Sequence, residues 1–225
     1  MEPSTTGDAA GGSGSFRIRG TGYAPQSREA ILVATAEVIA DRGFESARIS
    51  DISERSGIPI STLEYQFGSR EDLLYAAFQH LAFQELREMS EAMRAGEDAW
   101  DRLRAFMEIS MMENEDTQFV WRSWVEYWRA AVRDARVRED ALEVYRQWRG
   151  FVEQVVRQGV EQGRFSVTLD SDAVAFQISA VVDGMSVPLV TRDGGLRELK
   201  HSVTEVVVDA VARIVGLQPL PGGEG

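Results

Sequence analysis

Apolar residues recur at intervals of three and four along most of this chain, and the runs break at glycine, proline and small polar residues. The first run, 27–46, sets Ile31, Ala34, Val38 and Ile39 on one face; Gly43 is placed to end it and Phe44 returns to the core. Residues 49–67 (ISDISERSGIPISTLEYQF) hold two short runs that meet at Gly57, the second led by Pro59. Gly57 can take the positive φ of a tight turn, which costs a residue with a Cβ roughly 1 kcal/mol or more. Pro59 suits the first turn of a new helix, where an N–H is not needed. The spacing predicts a helix-turn-helix whose second helix turns Leu63 and Phe67 inward and Ile60, Ser61, Thr62, Tyr65 and Gln66 outward. A short helix with that outer face can lie in a major groove and touch base edges.

From residue 70 the helical period persists, with helices expected near 70–95, 97–113, 116–134, 136–162, 170–191 and 195–215. Ser69 and Asp170 are candidate N-caps, and Gly96, Gly163 and Gly194-Gly195 punctuate the runs. The expected fold is all-α: a three-helix bundle with the helix-turn-helix at 25–70, then a larger helical domain at 71–216. Residues 1–24 are rich in Gly, Ser and Thr and read as a flexible arm, with 217–225 as a flexible tail. In the arm, Arg17 and Arg19 could enter a minor groove or follow the backbone, or belong to a solvated tail. Gly20 to Pro25 half matches a dinucleotide fingerprint but lacks the strand and helix that motif requires.

Composition narrows the function. No uninterrupted run approaches the 18 or more apolar residues of a membrane span, and there is no signal-peptide pattern, so a cytoplasmic protein is expected. Cysteine is absent, the only histidines are His80 and His201, and Lys200 is the sole lysine. That removes thiolate and histidine-pair metal sites and a P-loop, so no enzyme, metal or cofactor is expected. The net charge of −12 argues against nucleic acid until it is divided. Residues 15–70 carry seven Arg and seven acids, whereas 71–225 carry 17 basic and 27 acidic groups. A neutral head on an acidic body can present one face to phosphate while the rest repels it.

Two further patterns stand out. All five tryptophans lie between residues 100 and 148, with Trp121, Trp124 and Trp128 on one helical face and Trp100, Met107, Met111, Tyr127 and Phe151 nearby. Such a cluster is either core or the wall of a small-molecule cavity. Toward the C-terminus, Val174, Ile178, Val181 and Met185 form one apolar stripe with Gly184 beside it, and Val203, Val206, Ala210 and Ile214 form another.

The run Arg42-Gly43-Phe44, Ile49 to Ile52, Ser56-Gly57-Ile58, Thr62-Leu63, Phe67 and Ser69 to Leu74 resembles the TetR family of transcriptional regulators. Gly163-Arg164-Phe165, Asp170 to Ala173 and Val182 to Met185 are similar to its BetI-type branch. The chain departs from the family at Ala47, Ile60 and Glu64-Tyr65-Gln66. The resemblance implies a homodimer on a double-stranded operator, an inverted repeat, with the two C-terminal stripes facing a second copy. Arg28, Arg48, Ser69 and Arg70 would then hold phosphates, and Ile60, Ser61, Thr62, Tyr65 and Gln66 would face bases. It also implies a small-molecule effector among the aromatic residues, expected to be largely hydrophobic, that releases a repressor from DNA. A cationic effector, held by ring faces beside Glu113, Asp116 or Glu126, is the alternative, although Glu126 could instead pair with Arg122 or Arg129. An orphan regulator or a protein-interaction module without a ligand is the other reading.

Overall fold

A computed structural model describes residues 27–191 and 200–219. Arg17, Arg19, the Gly194-Gly195 break and residues 220–225 lie outside these. Nine helices follow in order among the described residues: α1 (Arg28–Arg42), α2 (Ile49–Ser56), α3 (Ile60–Phe67), α4 (Arg70–Ala95), α5 (Ala99–Ser110), α6 (Glu115–Ala131), α7 (Ala135–Glu161), α8 (Ser171–Thr191) and α9 (Val203–Ile214).

Local chemistry sets most of the ends. The Ser27 hydroxyl accepts from the Ala30 N–H, and Gly43 at φ 81° closes α1 after Arg42, at the residue expected to end it. Gly57 sits at φ 70° and ψ 13°, and its N–H reaches the Ser53 carbonyl. Pro59 is one position earlier than expected, at the N-cap of α3. The Ser53 hydroxyl donates to the Ile58 carbonyl at 2.7 Å, which braces the turn from inside. A Cβ at Gly57 would meet nothing within 4 Å, so the backbone alone selects glycine. Gly57→Ala should therefore lower stability by about 1 kcal/mol without changing the fold, measured by urea unfolding. A loss above about 3 kcal/mol would mean that packing, not φ, fixes the residue.

The core is continuous through the molecule. Ile31, Val38 and Ile39 of α1 meet Ile52, Leu63, Leu73 and Leu74, and this closes the N-terminal bundle. α4 then runs on for 26 residues and buries Leu81, Leu86, Met89 and Met93 against the larger helical layer. One rigid rod thus belongs to both halves of the protein. α9 begins at Val203, where Ser202 and Glu205 form a capping box, later than its expected start at 195.

Two features of the C-terminal elements bear on these expectations. α8 is long and apolar enough to cross a membrane by length and composition, with a mean hydropathy of 1.6 in its best window. No stretch of it is uninterrupted, because Gln177, Ser179, Asp183 and Ser186 punctuate the apolar residues. Here α8 packs on α7 and α9, and the Tyr145 hydroxyl of α7 donates to Asp183 at 2.9 Å. Leu217 and Gln218 are not a loose tail: Leu217 forms an antiparallel bridge with Phe165, and the Gln218 N–H donates to the Arg164 carbonyl.

Candidate DNA-reading surface and effector cage

On α3, Leu63 is fully buried and Phe67 half-buried, which fixes the opposite face outward. Tyr65 is 91% exposed, Ile60, Ser61 and Gln66 are exposed, and Thr62 is half-buried. Glu64 is exposed as well, so a carboxylate stands on the face offered to DNA.

The arginines of this half divide sharply. Arg55 is bound to Glu37 and Asp41, and Arg42 to Asp51. Arg70 is turned inward: its guanidinium donates to the carbonyls of Ala47, Phe44 and Glu45 and pairs with Glu71. Arg70 was expected at a phosphate; it instead fastens the α1–α2 turn to α4. Ser69 is engaged as the N-cap of α4, accepting from the Asp72 N–H and donating to its carboxylate. Arg28 lies over the Phe67 ring at 4.5 Å from its centre. Among the described residues of this half, Arg28 and Arg48 are the arginines without an acidic partner, and Arg48 is exposed.

In the larger half, four helices converge on one small space. α6 supplies Trp121, Trp124 and Trp128, α7 supplies Tyr145 and Trp148, α4 supplies Glu85 and α8 supplies Asp183. Trp124 and Trp128 stack at 5.8 Å, Trp128 meets Tyr145 edge-on at 5.6 Å, and Tyr145 stacks on Trp148 at 5.9 Å. Glu85 is held by the Trp124 indole N–H at 2.6 Å. Burial pushes its carboxyl up to about 7, opposed by the indole hydrogen bond and reinforced by the charges of Glu88 and Asp183. Burial also raises Asp183, against the hydrogen bond from Tyr145, whose own hydroxyl is pushed up to about 12. The enclosed volume is ≈ 20 Å³, room for about one water. Anything larger must move a wall.

Other expected cavity residues lie elsewhere. Met107 and Met111 are fully buried core, Tyr127 is buried behind Trp124, and Trp100 does not line the cage. Phe151 lines a separate cleft. Glu85 and Asp183 were not among the expected site residues, whereas Trp148 belongs to the expected aromatic cluster. A sequence signal did exist for Asp183, the one acid beyond the first turn of the most apolar helix.

The acids first considered for a cation stand apart from the cage. Glu126 accepts from the Phe44 N–H of the α1–α2 turn at 3.3 Å and pairs with Arg129. Arg129 and Arg133 hold Glu45 of the same turn at 3.3 and 2.7 Å. Just beyond, Arg136 pairs with Asp72, and the Tyr75 hydroxyl donates to Asp134, both at 2.7 Å. Thus α6 carries cage walls and a polar latch onto the DNA-reading half.

The expected dimer stripes are offset from the surface. Val174, Ile178 and Val203 are buried inside the chain's own core, and Val181, Met185, Val206, Ala210 and Ile214 are half-buried. The outward face of α8 is Phe176, Ala180, Gly184 and Val187, with Phe176 and Val187 each 55% exposed.

The model for bacterial regulatory proteins of the tetR family matches residues 31–77, and that for the BetI-type transcriptional repressor C-terminal region matches 99–216. The HTH-type transcriptional regulator BetI of Rhizobium meliloti is 24% identical over 87% of this chain and 94% of its own. BetI of Stenotrophomonas maltophilia is 28% identical over 49% of this chain, and that match spans 57% of its own length. Among solved structures, a transcriptional regulator from Saccharomonospora viridis, determined in complex with choline, superposes with a TM-score of 0.73 at 22% identity, over 85% of this chain and 98% of its own. At that identity the superposition speaks for the fold. The C-terminal model alone covers more than half of the chain, and the protein belongs to the TetR family of transcriptional regulators, with a C-terminal half of the BetI type.

Proposed function

We propose that this regulator is a cytoplasmic homodimeric repressor whose hold on its operator is released by a small organic cation. Residues 25–70 read DNA and 71–216 bind effector and partner. The observation that carries the effector class is the cage: ring faces from two helices with the buried Glu85 and the half-buried Asp183 behind them. Ring faces attract cations, and a desolvated carboxylate has far more to gain from a cation than from a neutral group. This favours a cation over the neutral, hydrophobic effector expected from the sequence, and the choline bound by the Saccharomonospora relative is of that class.

Binding would act through the walls. With room for only about one water, the cage must widen around a trimethylammonium group, moving α4 against α6 or α8. α4 carries the DNA-reading bundle and α6 is latched to it, so both transmit the shift. In the dimer, the exposed stripe Phe176, Ala180, Gly184 and Val187 meets its copy, and Gly184 permits close approach. Two α3 helices then face successive major grooves spaced about 34 Å or a multiple of it. Arg28 and Arg48 contact phosphates, while Ser61, Tyr65 and Gln66 reach bases.

The deciding experiment is a titration followed by tryptophan fluorescence, comparing choline with 3,3-dimethylbutanol, a neutral molecule of the same shape. Choline should bind at least about tenfold more tightly; equal or better binding of the alcohol ends the cation reading. For DNA, Gln66→Ala should cost about 1–3 kcal/mol confined to one base position, read from binding to a set of operator variants. A loss spread evenly over all sequences would make Gln66 a backbone contact.

A further inference from the structure

A second cavity, independent of the cage, opens where the C-terminal half of α4, the start of α5 and the C-terminal half of α7 come together, with a volume of ≈ 260 Å³. We propose that it binds a small organic anion, a carboxylate or phosphate carried on a short apolar body. Its polar wall consists of Ser90, Arg94, Arg102, Gln154 and Gln158, its apolar floor includes Met93 and Phe151, and no carboxylate lines it. That is unusual in a chain of net charge −12.

Arg102 is built into this wall. Its Nε donates to the Gly96 carbonyl at 3.3 Å and a terminal nitrogen donates to Gln158 Oε1 at 2.8 Å. The turn comes this close because residue 96 is glycine: a Cβ there would lie 2.7 Å from the Arg102 backbone nitrogen. Both partners are neutral, so the guanidinium is oriented while its charge stays uncompensated. Asp98, one helical turn before Arg102, is taken by Arg164 at 2.8 Å. Among the described residues no acid pairs with Arg94 or Arg102. Because Gln158 accepts through Oε1, its amide N–H groups remain for a ligand. Two guanidinium groups and glutamine amides form a donor-rich wall that suits the planar or tetrahedral oxygens of an anion. Phe151, 37% exposed, and Met93 offer the apolar body a surface.

The test is isothermal titration of the full-length protein with benzoate, phenyl phosphate and neutral benzamide. At least one anion should bind saturably and at least about tenfold more tightly than benzamide. Tighter benzoate assigns a carboxylate head and tighter phenyl phosphate a phosphate. Arg102→Gln should weaken the preferred anion about tenfold or more. Arg94→Gln, at an exposed position where folding is not at risk, should do the same. No saturable binding of either anion up to about 10 mM, equal binding of benzamide, or undiminished binding to the Arg94→Gln protein would each overturn the assignment.

Discussion

Replacing Glu85 with glutamine should weaken choline binding on the order of 100-fold, about 2–3 kcal/mol, while leaving the protein as stable as before or more so. Glutamine keeps the shape and can still accept from the Trp124 indole N–H, so what is removed is the charge. The same charge explains the stability side. A carboxyl raised to about 7 binds more protons in the folded than in the unfolded chain between the ordinary glutamate value and 7. Its contribution is fully present below the unfolded pKa and is lost as pH rises through about 7. Near pH 8 the ionised, buried Glu85 thus costs on the order of 2–3 kcal/mol, which Glu85→Gln relieves. Cation binding has the opposite slope. The cation needs the ionised form, so affinity should climb with pH, up to about tenfold per unit, and level off above 7. Asp183, shifted in the same direction, adds to the climb, and Glu88 from α4 acts on Glu85 with the same sign. Denaturant unfolding and fluorescence titration across this pH range read both slopes. Unchanged choline affinity in Glu85→Gln, or a wild-type affinity flat with pH, would remove Glu85 from the effector site.

How much of this could be read from the sequence depends on how far apart the cooperating residues lie. Gly57, Ser53 and Pro59 set a turn among near neighbours, so their chemistry is visible in a window of ten residues. Trp121, Trp124 and Trp128 fall on one face by spacing alone. The acids behind them do not: Glu85 is 39 residues from Trp124, and Asp183 is 38 from Tyr145. Only the packing of α4 and α8 against the α6–α7 layer brings them together. The inward partners of Arg70 were hidden for a similar reason, since they are carbonyls 23 to 26 residues earlier. The apolar stripe of α8 was only partly legible for a different reason. α8 is apolar around most of its circumference, so periodicity could not say which face α7 and α9 would cover. Val174 and Ile178 went inward, leaving Phe176 and Val187 outside.

The double substitution Glu45→Gln and Glu126→Gln should uncouple effector from operator without abolishing either interaction. In the intact protein, choline should lower operator affinity by a factor on the order of 10–100, and operator must lower choline affinity by that same factor. The latch links the two because α6 has one face in each site. Trp124 and Trp128 wall the cage, while Glu126 and Arg129, on the same helix, reach Phe44 and Glu45 of the α1–α2 turn. Widening the cage pushes α6 away from that turn or drags the turn with it, and the ion pairs select the second outcome. With neutral glutamines, Arg129 and Arg133 lose their charged anchor on the bundle, and α6 can move alone. The factor should then fall to about threefold or less, while choline affinity without DNA and operator affinity without choline stay within about twofold of the parent. Measuring operator affinity by fluorescence anisotropy, with and without choline, gives the factor directly. A coupling factor unchanged in the double variant would place the whole transmission in α4, whose continuous core from Leu73 to Met93 would then be the mechanical link between the two halves.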